Sequence, residues 1–135
     1  MPSLEYSRDA LDALDKLYDE DEDSAALIDV LLEELETQPK LLDELWRPGN
    51  RHLNEPPFEI KRFQEMWRNR YTVYILKIRR RDGSAIERRV IYAHHPQRDC
   101  YYVLALMKRE IDYEADAEFI ERICKLYEDY GIPRY

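Results

Sequence analysis

The chain has 135 residues, of which 44% are hydrophobic and 37% are charged, and it contains only 3 glycines. This length and composition suit one domain with a single core, and they exclude fibrous and wholly disordered chains. The sequence has neither a basic N-terminal stretch followed by an apolar one nor a run of 18 apolar residues. A signal peptide and a membrane-spanning segment are therefore not expected, and a cytoplasmic protein is predicted.

Charge is distributed in blocks along the chain. Residues 1–57 hold 5 basic and 16 acidic side chains, residues 58–109 hold 13 and 5, and residues 110–135 hold 3 and 8. The formal net charge is −8 although the middle block is strongly basic. A basic block of this kind can attract a polyanion even in a protein that is acidic overall.

The N-terminal block predicts a short strand and two amphipathic helices. Residues 3–6 favour an edge strand, and leucines recur at helical spacing over residues 8–18. Five consecutive acidic residues, 19–23, predict a turn or a frayed helix end, after which Asp23 or Ser24 caps a second helix that ends near Pro39. Two such helices form a helical hairpin.

Two short helical segments are predicted before the first long strand. Residues 41–46 fit one helical turn. Ile60, Phe63 and Trp67 share one helical face, which predicts a short helix over residues 58–67.

Three strands in succession give the strongest signal. Residues 71–78 are β-branched and aromatic with apolar side chains of both parities, which indicates a central strand buried on both faces. The pair Asp82-Gly83 favours a tight hairpin turn, and residues 86–94 form the return strand. After a turn at residues 96–99, residues 100–107 form the third strand.

The last predicted element is a helix over residues 114–130, which Gly131 and Pro133 terminate. The predicted fold is therefore α+β, with an N-terminal helical hairpin packed on a central antiparallel β-meander and a C-terminal helix. One domain, 1–135, then comprises an acidic helical part (1–57), a basic meander part (58–113) and the C-terminal helix (114–135).

The cysteines and the adjacent histidines do not predict a metal site. Cys100 and Cys124 form no C-x-x-C motif, and each lies in an apolar run where a reduced, buried thiol is expected. His94 and His95 are neighbours on a strand, so their side chains diverge, and no third ligand is close in sequence. Neither a metal nor another cofactor is expected.

Basic residues fall where the meander brings its strands together. Side chains alternate along a strand, so Lys77 and Arg79 share a face, and Arg89 lies across the hairpin. Arg109 closes the third strand with Lys108 beside it. Because adjacent strands lie about 5 Å apart, these cations can converge on one surface and hold phosphate oxygens.

Each of these residues also has a simpler interpretation. Arginines on an exposed strand most often solvate the surface, and the arginines at 79–81 lie beside a turn. Arg88 and Arg89 point to opposite faces, so at most one of them belongs to any site on the sheet face. Tyr113 and Tyr74 offer surfaces on which an unstacked base can lie, whereas a core position is the alternative for Tyr74.

Three segments resemble the RelE/ParE toxin superfamily. The strand Arg88-Arg89-Val90-Ile91-Tyr92-Ala93 is similar to the Y-R-[IVL]-x-Y strand of that family, and Leu76-Lys77-Ile78 resembles its L-K pair. Residues 103–113 resemble its last strand, which runs into a basic turn and a tyrosine. Two N-terminal helices with Pro39 after the second also fit the family.

The resemblance implies a toxin that cleaves mRNA on the ribosome. In such enzymes the RNA 2′-hydroxyl attacks the adjacent phosphate, which requires charge neutralisation on the phosphorane, a proton acceptor and a proton donor. Carried over by position, Arg89 and Arg109 would neutralise the phosphate. Lys77 would act as base or electrostatic support, and Tyr113 would stack on the base or aid proton transfer.

RNA-binding roles are also predicted for Arg79, Arg81 and Lys108, from their positions on the basic meander. The expected partners are an antitoxin that wraps the toxin, together with mRNA and the ribosome, and no membrane. Two alternatives stay open. The ParE branch shares the fold, poisons DNA gyrase and lacks the RNase residues, and a toxin-like module without activity would use its acidic helices to bind a protein.

Overall fold

The computed structural model describes residues 2–48, 51–52, 56–108 and 116–134. The helices are α1 (Arg8–Glu20), α2 (Glu22–Thr37), α3 (Pro39–Leu42), α4 (Gln64–Arg68) and α5 (Ala117–Asp129). The strands are β1 (Ser3–Tyr6), β2 (Arg51–His52), β3 (Phe58–Arg62), β4 (Val73–Arg79), β5 (Ala85–His95) and β6 (Cys100–Lys108). The predicted α+β class is confirmed, and none of the helices in these ranges is long and apolar enough to cross a membrane.

Side-chain caps fix where the first two helices begin. The Ser7 hydroxyl accepts a hydrogen bond from the backbone N–H of Ala10 at 3.0 Å and donates one to the carbonyl of Leu104 at 2.6 Å, which ties the start of α1 to β6. The Asp21 carboxylate accepts from the backbone N–H of Ser24. Asp21, rather than Asp23 or Ser24, is therefore the cap of α2, and it alone separates the two helices.

One sheet organises the molecule, in the strand order β1-β6-β5-β4-β3-β2. β1 is parallel to β6, and the other neighbours are antiparallel. The helix-pair face of the sheet packs against α1 and α2 in a core that includes Ile28, Leu31, Leu35, Leu76, Val90 and Tyr92. The opposite face carries a second core, which includes Ile123 and Tyr127 of α5 together with Val73, Ala93 and Leu104.

The helix predicted over residues 58–67 is wrong in its first half. Phe58–Arg62 form β3, and a helix begins only at Gln64. Phe58 and Ile60 are fully buried on the helix-pair face, whereas Glu59 and Lys61 alternate with them. β3 pairs with every residue of β4 except the first and the last, and this pairing favours the strand over the helical spacing of Ile60, Phe63 and Trp67.

Residues 80–84 connect β4 and β5, and the hairpin loop between Arg80 and Ser84 contains three residues, Arg81-Asp82-Gly83. The N–H of Gly83 bonds the carbonyl of Arg80 at 3.0 Å, and the N–H of Arg80 bonds the carbonyl of Ser84 at 2.7 Å. Gly83 has a φ of 88°, a conformation that a side chain disfavours. The hairpin at the Asp-Gly pair is therefore present, with one residue more than the tightest turn.

Candidate nucleic-acid interface

Lys77 and Arg89 lie directly opposite one another on neighbouring strands. The Cα of Lys77 in β4 pairs with that of Arg89 in β5, and on its other side with that of Glu59 in β3. Arg89 in turn pairs with Met107 in β6. Residues paired across neighbouring strands point to the same face of a sheet. These four side chains therefore form one row on the face that lies away from α1 and α2.

A hydrogen bond to the backbone fixes the position of the Arg89 guanidinium. Arg89 is only 7% exposed, and its Nη1 donates a hydrogen bond to the carbonyl of Ile86 at 2.5 Å. A hydrogen-bonded guanidinium of this kind has lost part of its rotamer freedom before any ligand arrives. The group is thus positioned on the hairpin side of the row.

Arg79 joins the row through Glu59. Its Nη2 and Nε lie 2.5 and 2.6 Å from Oε1 of Glu59, and its Nη1 donates to the carbonyl of Gly83 at 2.7 Å. Burial acts to raise the pKa of Glu59, but the hydrogen bond and charge of Arg79 lower it. Glu59 therefore remains ionised and neutralises Arg79 as a bound phosphate would.

Lys61 is the cation that the sequence did not single out. It lies in β3 two residues from Glu59, on the same face as Lys77, and its side chain is exposed. We call Lys61, Lys77, Arg79 and Arg89 the cationic cluster. Within the described ranges, the ammonium groups of Lys61 and Lys77 have neither a hydrogen bond nor an ion pair.

The charge of this cluster acts on Lys77. Burial lowers the pKa of its ammonium group, and the charges of Lys61, Arg79 and Arg89 lower it further, while Glu59 opposes them. Both effects disfavour the charged form. Lys77 is thus closer to releasing its proton than an ordinary lysine.

Lys108 does not belong to the cluster, contrary to the expectation that it converges with the other cations. β6 contains a bulge at Leu104, so Leu104 and Ala105 both belong to the core beneath α5 and the alternation is shifted by one residue. Lys108 therefore pairs with Arg88 on the helix-pair face. There, Nη2 of Arg88 lies 3.4 Å from Oε2 of Glu20. Arg88 and Arg89 do point to opposite faces, as predicted.

The other predicted site residues are placed differently. Arg81 is exposed in the hairpin loop, away from the row that crosses the strands. Arg109 and Tyr113 lie outside the described residues. Tyr74 is 7% exposed on the helix-pair face and stacks on Tyr92 with ring centroids 5.4 Å apart, so of its two interpretations the core position is the one that the structure has.

The contacts of His94 and His95 and the state of the cysteines are those of structural residues. His94 stacks on Tyr101 at 4.2 Å, and its Nε2 is 3.3 Å from Oδ1 of Asp99, whereas the buried His95 accepts from the backbone N–H of Arg98 through Nδ1. Both cysteines are free thiols. The described part of the chain contains no group of three or more His, Cys, Asp or Glu that could hold a metal ion.

Comparison with known proteins adds no relative. No protein-family model, curated protein or solved structure matches this chain. Function is therefore inferred from the chemistry of the cationic cluster.

Proposed function

We propose that the cationic cluster binds the phosphodiester backbone of RNA and that the protein is a RelE-like toxin that cleaves mRNA. The observation that carries this proposal is the pairing of Lys77 with Arg89 beside Lys61. Like charges directly opposite one another destabilise a sheet, and burial adds to that cost. An anion that binds between the Lys77 ammonium and the Arg89 guanidinium would replace this repulsion by attraction. In nucleic acids, the anion that Arg and Lys bind is the backbone phosphate.

The proposed reaction is attack of an RNA 2′-oxygen on the adjacent phosphorus. The 2′-O–P bond forms as the bond from phosphorus to the 5′-oxygen breaks, and the leaving 5′-oxygen takes up a proton from Tyr113 or from water. The products are a 2′,3′-cyclic phosphate and a 5′-hydroxyl. Lys77, whose pKa is lowered, would accept the 2′-hydroxyl proton, and Arg89 would neutralise the charge that develops on the phosphorane oxygens. Arg109 and Tyr113 keep the roles that the resemblance implies: the second guanidinium on the phosphate, and base stacking or proton transfer.

The position of the acidic helices supports access of RNA to the cluster. α1 and α2 carry most of the acidic block and pack against the helix-pair face, whereas the cluster lies on the opposite face. Their negative charge is thus kept apart from the phosphate site by the thickness of the sheet. An antitoxin with an acidic segment would inhibit the protein by covering the cluster.

The test is cleavage of translated mRNA, mapped by primer extension, in cells that express Arg89→Ala. We expect a loss of about 100-fold or more in cleavage, because a positioned donor to a developing anion contributes that much in other enzymes. Arg88→Ala is the matched control, since Arg88 is the sequence neighbour on the other face, and it should cleave as the wild type does. Circular dichroism verifies that both variants are folded.

Two results would contradict the RNase assignment. Unchanged cleavage and growth arrest in folded Arg89→Ala would remove the cluster from the reaction. Growth arrest with intact mRNA and inhibited DNA supercoiling would instead indicate a gyrase poison of the ParE kind.

Glu59→Gln is expected to increase affinity for RNA. The substitution releases Arg79 and removes a negative charge beside Lys77, and we expect a gain of about 2- to 5-fold in affinity, the size of a surface ion pair. Fluorescence anisotropy with a labelled single-stranded oligoribonucleotide measures it. Glu65→Gln breaks an exposed pair with Arg68 elsewhere and serves as control. An unchanged or weaker affinity in Glu59→Gln would mean that phosphate does not compete for Arg79.

A further inference from the structure

Lys61 lies in the cationic cluster at a distance that one phosphate does not span. It is in β3 and pairs with Ile75, whereas Arg89 is in β5, two strands away. Neighbouring strands are about 4.8 Å apart, so the two Cα atoms are separated by roughly 10 Å across the sheet and by two residues, about 7 Å, along it. Strand side chains stand roughly perpendicular to the sheet, so their charged ends keep a similar separation.

The hydrogen bond of Arg89 increases this separation. Its Nη1 is bound to the carbonyl of Ile86, on the hairpin side of the row, whereas Lys61 is displaced from the row in the other direction, towards Ile75. Lys77 lies between them. If one phosphate binds between Lys77 and Arg89, Lys61 therefore lies beside the next phosphate of a backbone that crosses β5, β4 and β3 obliquely.

We propose that Lys61 binds the phosphate next to the one held by Lys77 and Arg89, so that the site takes a single-stranded polynucleotide rather than a mononucleotide or free phosphate. This inference rests on the proposed function. A path of cations that follows the backbone is how proteins bind single strands without reading sequence. The competing explanation is that Lys61, which has no β2 partner among the described residues, only protects a strand edge from aggregation.

The experiment compares ligands with one and with several phosphates. The probes are a nucleoside 3′-monophosphate and a 2′-O-methyl hexaribonucleotide, which lacks the attacking hydroxyl and stays intact. Lys61→Ala should weaken hexanucleotide binding by about 3- to 10-fold and reduce the slope of log affinity against log salt by about 0.7, the value for one phosphate contact to a single strand. Affinity for the monophosphate should fall by a smaller factor than affinity for the hexanucleotide, because Lys61 acts on the first phosphate only through its more distant charge.

Matched variants separate the possible outcomes. Lys61→Arg should restore both affinity and salt slope, and Lys40→Ala, an exposed lysine of α3, should change neither. If Lys77→Ala and Arg89→Ala bind the hexanucleotide as the wild type does, the proposed function itself is refuted. If those two variants bind weakly but Lys61→Ala keeps the wild-type affinity and slope, only the second phosphate position is refuted. Aggregation of Lys61→Ala with unchanged affinity would assign the residue to edge protection.

Discussion

Lys77→Arg is expected to lower the rate of RNA cleavage by about two to four orders of magnitude, while affinity for RNA stays within a few-fold of the wild type. Arginine keeps the positive charge that attracts phosphate, but its guanidinium is not deprotonated in proteins and cannot accept the 2′-hydroxyl proton. Single-turnover cleavage measures the chemical step, and binding to a 2′-O-methyl oligonucleotide measures affinity. If Lys77→Arg cleaved at the wild-type rate, Lys77 would act only through its charge, and another group would be the base.

The pH dependence of cleavage provides a second measurement of the same residue. Because burial and the charges of Lys61, Arg79 and Arg89 lower the pKa of Lys77, the wild-type rate should rise with pH and level off below the usual lysine value of 10.5. Lys61→Ala removes one of the charges that lower this pKa, so the plateau should move to higher pH. Lys40→Ala should leave the profile unchanged. If Lys61→Ala leaves the pH profile of cleavage unchanged, the protonation of Lys77 does not control the cleavage rate.

The elements that the sequence predicts correctly are those whose signal is local. α2 has apolar residues at helical spacing, and β4 to β6 combine β-branched and aromatic residues with turn signals between them. The same local rule explains why Lys77, Arg79 and Arg89 could be placed near one another. Alternation along a strand and one hairpin turn are enough to set two strands side by side.

Features that depend on pairing between strands could not be predicted in this way. Ile60 and Phe63 fit a helical face, while Phe58 and Ile60 alternate as in a strand, and only the presence of β4 alongside decides between them. The sequence therefore does not identify Lys61, because the helical spacing places it in a helix outside the meander. The available signal is the alternation of apolar and charged residues over 58–61.

The bulge in β6 has the same origin. Nothing in residues 100–107 marks Leu104 as the additional residue, since its neighbours on both sides are apolar. A one-residue shift sends every later side chain to the other face, and Lys108 moves from the predicted site to the side of α1. The sequence thus predicts which strands carry the cations but not which face each cation occupies beyond a bulge.

Leu31→Ala is expected to lower the free energy of unfolding by about 2–5 kcal/mol, because it leaves a cavity between α2 and the sheet. Leu31 is 0% exposed and belongs to the core that joins α2 to the helix-pair face. For a domain of this size, such a loss corresponds to a decrease of about 8–20 °C in Tm. Urea denaturation and thermal melting, both followed by circular dichroism, measure it.

The preceding residue in α2 provides the control. Val30 is 47% exposed, so Val30→Ala should change stability by no more than about 0.5 kcal/mol. Because α2 packs on one face and the cationic cluster lies on the other, Leu31→Ala should bind RNA normally at temperatures where it is folded. If Leu31→Ala changed stability as little as Val30→Ala does, α2 would not be packed on the sheet. If the folded variant lost RNA affinity as strongly as Arg89→Ala, phosphate would bind on the helix-pair face instead.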